Sequence, residues 1–277
     1  MQIHIANPTG LCFGVKRAIT TLEDELDKTK QVYSLGSPIH NTQEINRLKK
    51  LGLIVVDNPE DVPFGAVSFV RAHGVTPKTY NLLKQRSSVV VDGTCPFVRT
   101  AQERARTLSK EGYIVVILGD VKHPEVKAIM GYVEGEVVVL SDKDEIPQFL
   151  IGKKCGILSQ TTQKVASFVS LVSSFISVSP EIKICNTICK ATLERQESVF
   201  RLASEVEGMV VLGGHDSANT HKLVEISVDA GVPTKWIEHA NELNKEWLKK
   251  KENIGIAAGG STPDWLIKEL IQKLNVM

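Results

Sequence analysis

Cys12, Cys95 and Cys189 lie 83 and 94 residues apart, and two further positions repeat at the same intervals. Gly36, Gly119 and Gly213 each close an apolar run 24 residues after a cysteine, and His40, His123 and Ser217 follow at 28. A polar strand end comes later in each copy, at His73, Thr161 and Ser261. Self-similarity of this kind marks a repeat architecture, and three like units about one axis bring like positions to a common centre. Three thiolates without a fourth in the repeat suit a metal centre with one open position. Such ligands select zinc or an iron–sulfur cluster. Zinc sites usually draw on close pairs such as C-x2-C, and the sequence has none. A cubane held by three cysteines keeps one iron for a substrate oxygen, and the spacing favours that reading.

The two remaining cysteines fall outside the pattern. Cys155 lies in the run Lys154-Cys155-Gly156-Ile157-Leu158, and Cys185 lacks partners at 24 and 28. Both read as small buried hydrophobes. His40, His73 and His123 each sit in a strand-end loop, followed by Asn41, Gly74 and Pro124. As a repeat-related set they suit anion binding, metal ligation or proton movement. Thr161, Ser217, Asn219 and Ser261 add neutral donors fitted to phosphate oxygens. Glu125, two residues after His123, offers a carboxyl that gives up a proton. A glutamate in a first helical turn also opposes the macrodipole, which is its plainer role.

Elements of one kind must carry these residues in every copy. A β-rich run precedes each cysteine (3–5, 89–92, 182–184) and a helix follows it. Short apolar strands bounded by glycine come next, the pattern of parallel strands covered on both faces. Strands alternating with helices indicate an α/β fold. We expect three small pseudo-threefold-related α/β domains, residues 1–95, 96–188 and 189–277. Ligand sites in such sheets form beyond the carboxyl ends of strands. Asn41 with Glu44 reads as a capping pair, and Pro263 as the opening of a helix. Residues 165–178 read as an amphipathic helix with Val165, Phe168, Val169, Val172, Phe175 and Ile176 on one face. The sheet joined by the first strand is not readable.

Composition narrows the function classes. The 277 residues carry 33 basic and 32 acidic side chains, a net charge of +1, which argues against a nucleic-acid binder. No run of eighteen apolar residues and no export signal is visible, so a cytoplasmic chain without membrane contact is expected. Five cysteines in that setting point to metal or catalytic use rather than disulfides.

At this point a family resemblance covers essentially the whole chain. Leu11-Cys12-Phe13-Gly14-Val15-Lys16-Arg17-Ala18, Ile39-His40-Asn41, Ala72-His73-Gly74-Val75, Asp92-Gly93-Thr94-Cys95-Pro96 and His123-Pro124-Glu125-Val126 open the set. Gln160-Thr161-Thr162, Asn186-Thr187-Ile188-Cys189, Ser217-Ala218-Asn219-Thr220 and Gly260-Ser261-Thr262-Pro263-Asp264 complete it. The chain resembles the 4-hydroxy-3-methylbut-2-enyl diphosphate reductase family, which closes the methylerythritol phosphate route to isoprenoids. The resemblance implies a three-domain cloverleaf around one central 4Fe–4S iron–sulfur cluster on Cys12, Cys95 and Cys189, with an open iron that meets the substrate hydroxyl. It implies a two-electron reductive dehydroxylation giving isopentenyl and dimethylallyl diphosphate, with reduced ferredoxin or flavodoxin as donor. His40, His73, His123, Ser217, Asn219 and Ser261 would hold the diphosphate, Thr161 the substrate hydroxyl or a water, and Glu125 would feed protons. Ala218 stands where many members carry a serine; a hydroxyl contact goes, while the backbone N–H remains.

Two other classes fit parts of the pattern. A non-redox (de)hydratase or synthase of quinolinate-synthase-like plan uses an open iron as a Lewis acid, but needs a carboxylate site. An electron carrier or iron–sulfur sensor needs neither the three histidines nor Glu125.

Overall fold

Strand and helix alternate along the computed structural model, which describes residues 1–141 and 143–276. The elements are β1 (Gln2–Ile5), α1 (Phe13–Thr29), β2 (Val32–Leu35), α2 (Thr42–Lys50), β3 (Leu53–Val56), β4 (Val67–Val70), α3 (Pro77–Arg86) and β5 (Val89–Asp92). There follow α4 (Pro96–Lys110), β6 (Ile114–Leu118), α5 (Pro124–Met130), β7 (Val137–Leu140), β8 (Cys155–Ser159), α6 (Val165–Ile176) and β9 (Ile182–Cys185). The last are α7 (Lys190–Ala203), β10 (Gly208–Leu212), α8 (Ala218–Asp229), β11 (Thr234–Ile237), α9 (Lys245–Leu248), β12 (Asn253–Ala258) and α10 (Asp264–Asn275).

Among the described residues these strands form three four-stranded parallel sheets, ordered β3-β2-β4-β5, β7-β6-β8-β9 and β1-β12-β10-β11. Read from the other edge, the last is β11-β10-β12-β1, so all three share one topology. In each, the strand before a cysteine occupies an edge beside the third strand of a copy. The first strand, unassigned by sequence, pairs with β12 from Gln2↔Asn253 to Ile5↔Ile256. The fold is therefore α/β with three parallel-sheet units.

The glycine 24 residues after each cysteine has a structural reason. Its N–H extends the ladder to the neighbouring strand: Gly36 to the Val56 carbonyl, Gly119 to Leu140 and Gly213 to Ile237, at 2.8–2.9 Å. A side chain has no room there. An added Cβ would come within 2.4 Å of Arg71 at Gly36, 2.9 Å of Val126 at Gly119 and 2.6 Å of Thr220 at Gly213. Gly36 and Gly213 also adopt positive φ, +68° and +151°, which L side chains resist.

By contact the chain groups into two compact units: residues 1–16, 39–47 and 190–277, and residues 17–38 and 48–189. The first unit packs its sheet between Leu266 and Leu270 of α10 on one side and Val199 and Leu223 of α7 and α8 on the other. In the second unit, Ala101, Ala105 and Leu108 of α4 cover β6 and β8, while Val70 and Leu83 close the sheet of β4. Each fully buried Leu or Ile contributes about 1.5–3 kcal/mol.

Helix α6 departs from the expected face. Phe168, Leu171 and Phe175 are buried, whereas Val165, Val169 and Ile176 are exposed. Spacing i, i+3, i+7 lays the aromatic pair and Leu171 on the sheet, and the β-branched residues fall on the flank. No helix among the described residues is long and apolar enough to cross a membrane.

Candidate active site

Each repeat cysteine stands immediately before a helix: Cys12 before α1, Cys95 as the N-cap of α4, and Cys189 before α7. Each is held by the same backbone bond. Its N–H donates to the carbonyl two residues beyond the third strand of a copy: Cys12 to Gly260 (3.0 Å), Cys95 to Ala72 (2.9 Å) and Cys189 to Thr161 (3.0 Å). The residue three before each cysteine accepts an N–H through its side chain. Thr9 takes that of Ala258, Asp92 that of Thr94 and Asn186 that of Ile188. Sequence reasoning missed this set, although a polar residue at cysteine minus three in all three copies was the available signal.

In the first compact unit, Cys12 lies against Gly260. A Cβ on that glycine would sit 3.6 Å from both the Cys12 Sγ and the Asn219 Nδ2, so thiol and amide flank the same bare backbone. The Asn219 Nδ2 is buried and has no hydrogen-bond partner among the described residues. Ser217 is the N-cap of α8, its Oγ accepting the Thr220 N–H at 3.3 Å. Ser261 Oγ donates to the His40 carbonyl at 3.1 Å. That carbonyl also approaches Gly214, where a Cβ would come within 2.6 Å. Asn41 caps α2 by accepting the Glu44 N–H at 2.9 Å, but the capping pair is one-sided. The buried Glu44 carboxylate turns to Arg47 and to the Trp265 Nε1 (3.1 Å) instead of back to Asn41. Pro263 is the N-cap of α10, one place earlier than a first helical residue.

In the second unit four predicted residues form one connected chain. His73 meets the edge of His123, ring centroids 5.3 Å apart. His123 caps α5: its Nδ1 accepts the Glu125 N–H at 3.1 Å, which leaves Nε2 to carry the proton of the neutral ring. Glu125 Oε1 accepts the Thr161 N–H at 2.7 Å and Oε2 the Thr161 hydroxyl at 2.9 Å. Thr161 in turn supplies the carbonyl that holds Cys189. Desolvation pushes the buried Glu125 carboxyl up to about 6, against the two Thr161 bonds that favour its charge. Gln102 of α4 was not foreseen either. It is buried, and its Nε2 packs so closely under Gly74, φ +71°, that a Cβ there would come within 2.4 Å.

The donor chemistry fits a thiolate-bound cluster. Cys12, Cys95 and Cys189 are partly exposed, and each stands at a helix start on the same backbone bond. Cys155 is fully buried and burial lifts its thiol pKa; the same cause raises that of Cys185, which packs against the core of β6 and α4. Those two are hydrophobes by environment.

Comparison with known proteins agrees in extent and kind. The family model described as LytB protein matches residues 3–275. The 4-hydroxy-3-methylbut-2-enyl diphosphate reductase of Campylobacter hominis is 39% identical, with 100% of both chains covered. That of Aquifex aeolicus is 40% identical over 99% of this chain and 96% of its own. A solved structure of (E)-4-hydroxy-3-methyl-but-2-enyl diphosphate reductase, described as the terminal enzyme of the non-mevalonate pathway, is 40% identical. It superposes with a TM-score of 0.74, covering 100% of both chains. The Plasmodium falciparum E-1-hydroxy-2-methyl-but-2-enyl-4-diphosphate reductase gives 0.89 at 27% identity, over 99% of this chain and 87% of its own. With one sheet topology repeated three times, a cysteine at the same backbone bond in each copy, and relatives aligned end to end, the chain belongs to the LytB family.

Proposed function

We propose that the chain is an oxidoreductase that converts (E)-4-hydroxy-3-methylbut-2-enyl diphosphate to isopentenyl and dimethylallyl diphosphate, in the non-mevalonate route to isoprenoids. The allylic alcohol takes up two electrons and two protons, its C–O bond breaks, and water leaves. Relatives named as reductases support this over a non-redox (de)hydratase. Cys12, Cys95 and Cys189 would hold one 4Fe–4S cluster, which when bound would supply electrons and a Lewis-acidic iron. Reduced ferredoxin or flavodoxin delivers the electrons, in the cytoplasm.

The observation that carries the reading is the Glu125–Thr161 pair beside Cys189. Burial lifts the Glu125 carboxyl to about 6, so it takes up a proton more readily than an exposed glutamate and, once protonated, can donate it to the Thr161 hydroxyl that it otherwise accepts from. Thr161 faces the substrate hydroxyl and passes the Glu125 proton to the departing oxygen. His40, His73, His123, Ser217, Asn219 and Ser261 hold the diphosphate.

Asn219 gives the test. A buried donor without an acceptor costs about 1–3 kcal/mol, and a phosphate oxygen would relieve it. Asn219→Ala should therefore raise KM for the diphosphate on the order of 10–100-fold while kcat stays nearly constant. The ligand-free protein should melt no lower than the parent, because no bond is lost without substrate. An unchanged KM, or a melting point several degrees lower, would remove Asn219 from the diphosphate site.

A further inference from the structure

One arginine in each compact unit is tied to the backbone just before a repeat cysteine. In the first unit Arg195, on α7, is only 4% exposed. Its Nη2 donates to the Gly10 carbonyl at 2.8 Å and its Nη1 to Ala191 at 3.0 Å. Gly10 stands two residues before Cys12 and is itself tightly placed, with φ +76°. In the second unit Arg17, on α1, donates through Nη1 to the Thr94 carbonyl at 3.2 Å, one residue before Cys95. Each arginine follows a cysteine closely in sequence: Arg17 is five residues after Cys12, Arg195 six after Cys189. Arg99, four after Cys95, turns to Asp92 at 2.7 Å instead.

Burying a guanidinium costs several kcal/mol unless its donors are satisfied. Arg195 meets that cost with carbonyl oxygens, and its Nε has no partner among the described residues. Core packing alone is better served by an uncharged side chain of similar length. What a guanidinium adds is a rigid, charged fork that fixes a carbonyl one or two residues before a cysteine. Such fixing matters for a cysteine-held cluster. Groups behind the ligands that fix their geometry commonly change metal affinity 10–100-fold when removed.

Resting on the cluster reading above, we infer that Arg17 and Arg195 are positioning residues that lock the loops of Cys95 and Cys12 and so retain the iron. The third cysteine needs no such arginine. Its loop is held by Thr187, whose Oγ1 bonds the Ser159 backbone in both directions, accepting from its N–H at 2.9 Å and donating to its carbonyl.

Iron retention measures this directly. Reconstituted holoprotein is mixed anaerobically with a ferrous chelator, and release is followed together with the loss of cluster absorption. Arg17 is exposed, so Arg17→Gln should fold, and its iron should leave on the order of 10–100-fold faster than from the parent. Arg17→Lys, which keeps one charged donor, should recover part of the difference. Arg104→Gln removes another exposed arginine, on α4, that makes no bond to a cysteine loop among the described residues, and should release iron at nearly the parental rate. Arg195→Lys should behave as Arg17→Gln does, with a shifted electron paramagnetic resonance signal of the reduced cluster. Iron release from Arg17→Gln at the parental rate, or equal acceleration in Arg104→Gln, would overturn the inference while leaving the cluster in place. A parent that reconstitutes no four-iron cluster would bring down the reading beneath it as well.

Discussion

Glu125→Gln should lower turnover on the order of 10²–10⁴-fold, the range expected for loss of a general acid. The substitution keeps the size of the side chain. Its oxygen still accepts the Thr161 N–H, and its amide donates to the Thr161 hydroxyl, so the contacts at 2.7 and 2.9 Å have replacements. Iron content and substrate affinity should stay near the parent's, because neither depends on the acidic proton. The pH dependence carries its own sign. The folded carboxyl titrates near 6, above its ordinary 4.5, so the folded parent holds a proton that the unfolded chain gives up between those values. Stability of the parent then falls relative to Glu125→Gln as pH rises from 4.5 to 6, by about 2 kcal/mol, and is level outside that window. Parental turnover should decline on the alkaline side with an apparent pKa at or above 6, since bound diphosphate further disfavours the carboxylate. A variant that turns over at the parental rate with its cluster intact would move the proton source elsewhere.

Replacing any one of Cys12, Cys95 or Cys189 by alanine should be equally severe and of a different kind. Anaerobically prepared parent should hold roughly four irons per chain. Each of the three variants should lose most of that iron and its turnover together. Cys155→Ala and Cys185→Ala should keep both, since Cys155 is enclosed in β8 and Cys185 packs on the core beside it. Iron analysis of the five variants side by side decides the matter. Loss confined to Cys185→Ala, or active colourless protein with stoichiometric zinc, would contradict the assignment.

Much of this was legible because repetition is a strong signal. The intervals of 83 and 94 residues located the cysteines, the strand-ending glycines and the loop residues, and the glycine ladder bonds explain why those glycines recur. Long-range pairing was not legible. β1 joins a strand some 250 residues away, and a parallel edge strand of four residues carries no mark of its partner. The bond between Glu125 and Thr161 spans 36 residues and comes from loop geometry alone. Glu44 shows the limit of local rules: the 41–44 spacing predicted a reciprocal cap, and a tertiary contact with Trp265 drew the carboxylate away. In α6, apolar spacing marked the helix but not its buried face, because a serine-rich helix offers two apolar flanks and only packing selects one.

The central claim is reductive removal of the substrate hydroxyl. Reconstituted protein should be incubated without oxygen with (E)-4-hydroxy-3-methylbut-2-enyl diphosphate and a titrated small-molecule reductant, and the products separated and identified. Isopentenyl and dimethylallyl diphosphate should form together, with two electrons consumed per molecule of product. A dehydrated or hydrated diphosphate formed with no electron consumption would contradict the account, as would cluster oxidation that leaves the substrate unchanged.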